Sequence, residues 1–406
     1  MVGDETAGFD DFALAERATP LAGVIAAEIA AGGPITFARF MALALGHPEH
    51  GYYSRAELGW GAAGDFETSP EVHPIFGYLW ARQVAECWER LGRPRPFDVV
   101  EVGAGSGAFA VALLGWLRER APDCYAATRA TLVDVHTRRV EAQRARLAAH
   151  GLRAEHALLD AWLGRTDAVQ GGMQGVVLSN ELFDALPVHV VERRGTELRE
   201  WYVTVAAGGG LTFELGAAST PAIAAQLAAA GAEPGEGCRA EVSLDAPALL
   251  RGLARRLERG YLVTIDYGYE AQALYAPWRR MGTLMAFRGH SPQPDPLARP
   301  GETDLTAHVD LTTLARAGEA EGYASAPAVS QAEALAWLGS GETLAAARAR
   351  AADDAGAFFA ARRAVETLSD PAGLGRIRVL VQAKDAPLDG LRCLGGGLPP
   401  VGGGAR

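Results

Sequence analysis

The chain has 406 residues, 49% of them hydrophobic, which is enough apolar side chain for two domains or one large domain with insertions and excludes a disordered chain. Its 38 basic against 49 acidic residues leave a net charge of -11, so a general nucleic-acid or anionic-membrane surface is disfavoured and a basic substrate is allowed. Cys87, Cys124, Cys238 and Cys393 form no CxxC pair, which points away from a disulfide framework or a zinc site and towards a reducing compartment. The acidic start "MVGDETAGFDDF" lacks the basic residues of a signal or transit peptide, and no apolar run reaches membrane-spanning length. A cytoplasmic protein is expected, with no nucleic-acid and no membrane partner. The single lysine, Lys384, beside many arginines and heavy Ala and Gly usage suggests a GC-rich bacterial genome.

After a flexible leader, residues 1–15, the segment 16–96 reads as helices ("PLAGVIAAEIAA", "TFARFMALAL", "FGYLWARQVAECWERL") joined by Gly/Pro/His loops, an N-terminal helical cap. His47 and His50 have no further Cys or His at ligand spacing, so a polar loop and no metal is expected there. In "GDFETSPE", residues 64–71, Thr68 and Glu71 match the S/T-x-x-E capping box, and Ser69 precedes a Pro suited to a helix start. That leaves Asp65 and Phe66 unexplained on a Gly-rich loop, and residues 52–70 are expected to act as a lid.

From residue 97 short apolar runs alternate with helical segments: "FDVVEV", "GAFAVALLGWLRER", "ATLVDV", "RRVEAQRARLAAH", "LRAEHAL", "GVVLSN". Such alternation predicts a parallel sheet with crossover helices. "VVEVGAGSGAFAVALL" is strand, Gly-rich turn and helix, where Gly103, Gly105 and Gly107 let a nucleotide-containing cofactor approach the backbone. GAGSGA also fits the dinucleotide form G-x-G-x-x-A. Asp134 closes the next strand, placed to accept hydrogen bonds from two ribose hydroxyls. Glu101 favours S-adenosylmethionine, whose sulfonium and ammonium suit a nearby acid, over a dinucleotide, whose pyrophosphate needs a free helix N-terminus.

"SNELFDALP" begins where "GVVLSN" ends, so Asn180, Glu181 and Asp184 fall at the carboxyl edge of the sheet on the cofactor side. Two acids there could fix a guanidinium by paired hydrogen bonds and stabilise its charge; equally, they could cap the following helix or turn. An insertion, residues 185–259, carries "VHVVERR", "ELREWYVTV" and "LTFEL", a small antiparallel meander, before the strand "YLVTIDYG". A second insertion, 270–307, is rich in Pro, Arg and Gly and leads to His308 and Asp310, a candidate proton-relay or orienting pair or an N-cap for "LTTLARAGEAEG". The last strand is "RIRVLVQA", and the Gly/Pro-rich tail, 385–406, is expected to be disordered.

Together "HPEHGYYS", "GDFETSPE", "EVGAGSG", "SNELFDALPV", "TIDYGY" and "GTLMAFRGH...DPLARPGETDLTAHVD" resemble, in order, the MidA-like family of class I S-adenosylmethionine-dependent methyltransferases. The resemblance spans roughly residues 20–384. It implies an α/β fold: a Rossmann-like seven-stranded sheet whose last strand is antiparallel, in a core of residues 97–384, with the helical N-terminal cap and the inserted antiparallel sheet attached. It further implies S-adenosyl-L-methionine over Gly103, Gly105 and Gly107, and makes GDFETSPE a signature beside the cofactor, with Asp65, Phe66 and Thr68 in the cofactor loop. Asp134 stands where many relatives carry Glu, which keeps the ribose contact with a shorter reach. The family includes a protein arginine methyltransferase acting on a mitochondrial complex I subunit, so N-methylation of an arginine in a protein or peptide is expected. Methylation of a small molecule or pathway peptide, and a non-catalytic assembly factor that keeps the pocket, are the alternatives; an oligomer is allowed.

Overall fold

A computed structural model of the chain describes residues 19–55, 68–164, 172–289, 291–349 and 354–396. The alternating apolar runs form strands β1 (Phe97–Val102), β2 (Thr128–Asp134), β3 (Glu155–Leu158), β4 (Met173–Asn180), β5 (Leu257–Asp266), β6 (Ala324–Ser325) and β7 (Arg378–Lys384). Every residue of β1 is buried, as a near-continuous apolar strand requires when helices cover both faces of a parallel sheet. The strands lie in the order β6-β7-β5-β4-β1-β2-β3, with β7 antiparallel to β5 and the pairs β5–β4, β4–β1, β1–β2 and β2–β3 parallel. This is the expected seven-stranded sheet with its last strand reversed; the two-residue strand Val329–Ser330 also pairs with β7. Strand order reverses between β1 and β4, which opens a crevice at their carboxyl ends. Behind β1, the helix Ile75–Arg90 meets the helix Ala108–Arg120 so closely at Gly77 that a Cβ there would sit 2.5 Å from Ala112 Cβ.

These strands belong to a unit made of residues 67–183, 247–269 and 311–406. Residues 1–66, 184–246 and 270–310 make a second unit. Its sheet contains the expected meander, His189–Arg194, Glu197–Val205 and Leu211–Ala217, extended by Ile35–Thr36 and Arg239–Val242. The apolar faces of the helices Pro20–Gly32 and Phe37–Gly46 supply Leu21, Ile25, Phe37, Phe40 and Met41 to a core shared with Val190 and Val203.

Three expected boundaries are corrected. The block 16–96 is not one cap: residues up to 66 fall in the second unit and those from 67 in the sheet unit, because Ile35 pairs with Val203, a long-range pairing that local periodicity cannot reveal. The insertion 185–259 ends early, since the helix Asp245–Arg256 lies from Pro247 onward in the sheet unit, where it leads directly into β5. The tail does not become disordered at 385: Leu391 and Cys393 are fully buried, and the Arg392 and Cys393 amides donate to Glu86 Oε2 (3.0 Å) and Gln83 Oε1 (2.8 Å). Composition suggested disorder, but two apolar side chains and two amides find partners on the helix Ile75–Arg90.

Candidate active site

The Gly-rich turn follows β1, and the left-handed backbone at Gly103 (φ 74°), Gly105 (φ 52°) and Gly107 (φ 80°) explains why glycine stands there. A Cβ on Gly103 would press to 2.9 Å on Leu182 Cδ1 of the adjoining "NELF" turn. Gly103 N–H donates to Val133 O (2.8 Å) and Gly105 N–H to Asp134 Oδ2 (3.2 Å), which joins the turn to the end of β2. Asp134 is buried, and its carboxylate also accepts from Val135 N (2.8 Å) and from Gln143 Nε2 (2.9 Å). Gln143 Nε2 donates in addition to Gly105 O (3.0 Å), so one amide of the helix Thr137–Ala149 orients both the acid and the turn.

Asn180, the last residue of β4, lies in register with Ile265. Its Nδ2 donates to Glu181 Oε1 (2.8 Å), while its buried Oδ1 has no hydrogen-bond partner among the described residues. Glu181 then takes φ 50°, a conformation that strains any residue with a Cβ by about 1–3 kcal/mol and persists only where neighbours over-determine it. The neighbours are Ile265 O, which accepts Glu181 N–H (2.8 Å), and buried Asp266, whose Oδ2 accepts from Leu182 N (3.0 Å) and Phe183 N (2.8 Å). Burial, against which these amide bonds work, and the nearby Glu181 charge raise the Asp266 carboxyl above its ordinary range. Glu181 Oε1 accepts a second hydrogen bond from Ser69 N (3.0 Å), at the start of the helix Ser69–Val72.

That short helix answers only part of the capping expectation. Thr68 is the N-cap residue, but its side chain makes no capping hydrogen bond, and Glu71 does not reach back to it. Glu71 Oε1 instead accepts from Ser106 Oγ in the Gly-rich turn and from Arg146 Nη1 (3.4 Å). Asp65 and Phe66, with the rest of 56–67, lie outside the described residues; Tyr52–Ser54 forms a 3-10 turn with Tyr52 buried.

Glu101 on β1 is 8% exposed, and burial, reinforced by the Asp134 charge, pushes its carboxyl up to about 8. Asp184, His308 and Asp310 fall in the second unit. There Asp184 O accepts Ala307 N–H (3.0 Å), His308 N–H donates to Thr283 Oγ1 (3.0 Å), and Asp310 bonds to the Tyr275 side chain, which burial and then the Asp310 and Glu241 charges hold well above its ordinary pKa. The residues the sequence reading missed are Ser106, Gln143, Arg146 and Asp266. Asp266 ends β5 as Asp134 ends β2, a positional signal that could have found it, whereas Gln143 and Arg146 are visible only once their helix faces the turn.

An S-adenosylmethionine-type cofactor fits these residues. The glycines carry no Cβ to obstruct it, Asp134 is a buried acceptor beside the turn, Asn180 Oδ1 is a buried acceptor with no donor among the described residues, and Glu101 is an acid that a cation would ionise. Among the described residues no group of three or more His, Cys, Asp or Glu could hold a metal ion, and no helix is long and apolar enough to cross a membrane.

Comparison with known proteins agrees with a cofactor of this kind. The family described as "Putative S-adenosyl-L-methionine-dependent methyltransferase" matches residues 79–329. The chain is 32% identical to the mitochondrial protein arginine methyltransferase NDUFAF7 homolog of Drosophila melanogaster, over 74% of this chain and 70% of that protein, and 28% identical to human NDUFAF7, over 73% and 68%. A protein from Burkholderia thailandensis, solved bound to S-adenosyl-homocysteine, superposes with a TM-score of 0.79 at 32% identity, covering 94% of this chain and 95% of the other. The expectation of a cytoplasmic protein is corrected by these matches, since the named relatives are mitochondrial.

Proposed function

The chain belongs to the S-adenosyl-L-methionine-dependent methyltransferase family, and from that premise we propose that it methylates a guanidino nitrogen of arginine in a protein or peptide. The observation that carries the reading is Glu181: an acid at the carboxyl edge of β4, held in a strained left-handed conformation and oriented by Ser69 N–H and Asn180 Nδ2 before any acceptor arrives. Strain of this kind collects at sites where geometry matters more than stability. The names of the relatives support arginine as the acceptor.

When bound, the cofactor supplies an electrophilic methyl group on a cationic sulfur. The Gly-rich turn and Asp134 would hold the adenosyl part, Asn180 would accept from the ammonium, and Glu101 would balance the positive charge. Glu181 holds the guanidinium fork and takes the proton that nitrogen loses as its bond to the methyl carbon forms and the carbon–sulfur bond breaks with its electron pair returning to sulfur, so that positioning contributes much of the rate. Thr68 is proposed to border the cofactor.

The test is a substrate search: an extract from cells lacking this protein is incubated with purified protein and isotopically labelled cofactor, and the labelled product is mapped. A labelled protein arginine is the expected result, and label on a metabolite or on an oxygen would overturn it. Glu181→Gln should cut turnover about a hundredfold while S-adenosylhomocysteine affinity stays within a few-fold, as for an interaction made with the reacting group.

A further inference from the structure

The Gly-rich turn "GAGSGA" has one side chain able to anchor it, Ser106, and that side chain is gripped from two directions. Ser106 Oγ donates to Glu71 Oε1 and accepts from Arg146 Nη1, and it also accepts from Ala108 N (3.2 Å), the first residue of the helix that follows. Arg146 Nη1 reaches Ser106 O as well (3.3 Å). Glu71 belongs to the same four-residue helix whose first amide, on Ser69, holds Glu181 Oε1. A third bond from that helix, Ser69 Oγ to Gln331 Oε1 (3.1 Å), ties it down, and Gln331 is itself fixed by donating to Leu368 O (3.1 Å) and Leu374 O (3.2 Å).

We propose that Glu71 and Arg146 are positioning residues: they clasp Ser106 so that the Gly-rich turn is set before cofactor binds, and the helix Ser69–Val72 transmits the same registration to Glu181. A turn with three glycines in left-handed conformations has many alternatives when free, and anchoring it removes that ordering penalty from binding. The clasp is mostly buried at Glu71 and Ser106, where a hydrogen-bonded hydroxyl loses more on truncation of its partner than it would in water. Only the link to Glu181 rests on the arginine-methylation reading; the link to the turn concerns cofactor binding alone.

The experiment uses the full chain and S-adenosylhomocysteine, titrated calorimetrically, with hydrogen exchange of the ligand-free protein. Glu71→Ala should weaken S-adenosylhomocysteine binding about tenfold and speed exchange both at 103–108 and at 181–183, with little change in the melting temperature. Glu71→Gln keeps a carbonyl oxygen for the Ser106 hydroxyl and loses only the partly exposed ion pair, so it should restore affinity to within about threefold of the parent. Combining Glu71→Ala with Ser106→Ala should lose no more affinity than either alone, because both break one clasp. Should Glu71→Ala fail to fold, Ser106→Ala, which removes a single oxygen, carries the same expectations. Parent-like affinity in Glu71→Ala, or fully additive losses, would overturn the clasp. Faster exchange at 103–108 with unchanged exchange at 181–183 would overturn the link to Glu181. A failure of arginine methylation would leave the affinity result untouched, so the two readings fail separately.

Discussion

Glu101 shows how one carboxyl can report the chemistry of the site. Its pKa in the folded chain is raised from 4.5 to about 8, so its contribution to stability is fully present below about pH 4.5 and is lost as pH rises through about 8. At neutral pH it is therefore largely protonated, and a bound cation would favour its ionised form. S-adenosylhomocysteine binding should then release part of a proton near pH 7 and tighten as pH rises from about 6 to 8. Calorimetry in phosphate and in Tris measures the released proton directly, and Glu101→Gln should abolish it. An enthalpy independent of the buffer in the parent protein would refute the coupling. At the same scale, Gly105→Val should reduce cofactor binding by about a hundredfold or more while the fold survives, since a β-branched residue cannot take φ 52° without strain. The placement of Gly103, Gly105, Gly107, Asp134 and Asn180 at strand ends is legible in the sequence because each sits at a defined offset from an apolar run. The capping pattern at Glu71 is local and says nothing of its actual partner, Ser106, which lies 35 residues along the chain.

The S/T-x-x-E pattern has different outcomes at Ser330 and at Thr68, and elements explain the difference. At Ser330 the capping box is complete: Ser330 Oγ accepts from Glu333 N, and the Glu333 side chain accepts from Ser330 N. The exposed start of the helix Gln331–Trp337 offers Glu333 no stronger partner. At Thr68 the equivalent acid is drawn away by a serine hydroxyl and an arginine. Ser330→Ala should therefore destabilise the chain by about 1 kcal/mol, whereas Thr68→Ala should cost less than about half that, because no capping bond is lost. Chemical denaturation of the two variants decides this. Equal losses would mean that Thr68 caps in solution after all.

At the scale of the whole chain, folding gathers distant segments into each unit. The tail supplies Leu391 and Cys393 to the core of the sheet unit, beside Trp80, Val84 and Cys87. Ending the chain after Asp385 should remove those buried side chains and leave Gln83 and Glu86 without the amides they accept from. The expected loss is about 3–5 kcal/mol, the scale of deleting two buried side chains, seen as a melting temperature lower by several degrees. An unchanged melting temperature would show that the tail adds nothing to the core.

The sequence alone determined the strands β1, β2, β4, β5 and β7, the meander, the Gly-rich turn and the acids at the strand ends. Each of these is a local matter: an apolar run of the right length, a turn that needs glycine, or a polar residue placed one step beyond an apolar one. Tertiary structure alone decided that Ile35–Thr36 joins a sheet with Glu197–Val205, that Glu71 clasps Ser106 rather than capping its own helix, and that a Gly/Pro-rich tail packs. In each case the outcome was set by competition between partners far apart in the chain. A buried hydroxyl, an unpaired strand edge and an apolar groove each take the best partner within reach, and periodicity along the sequence holds no record of which one that is.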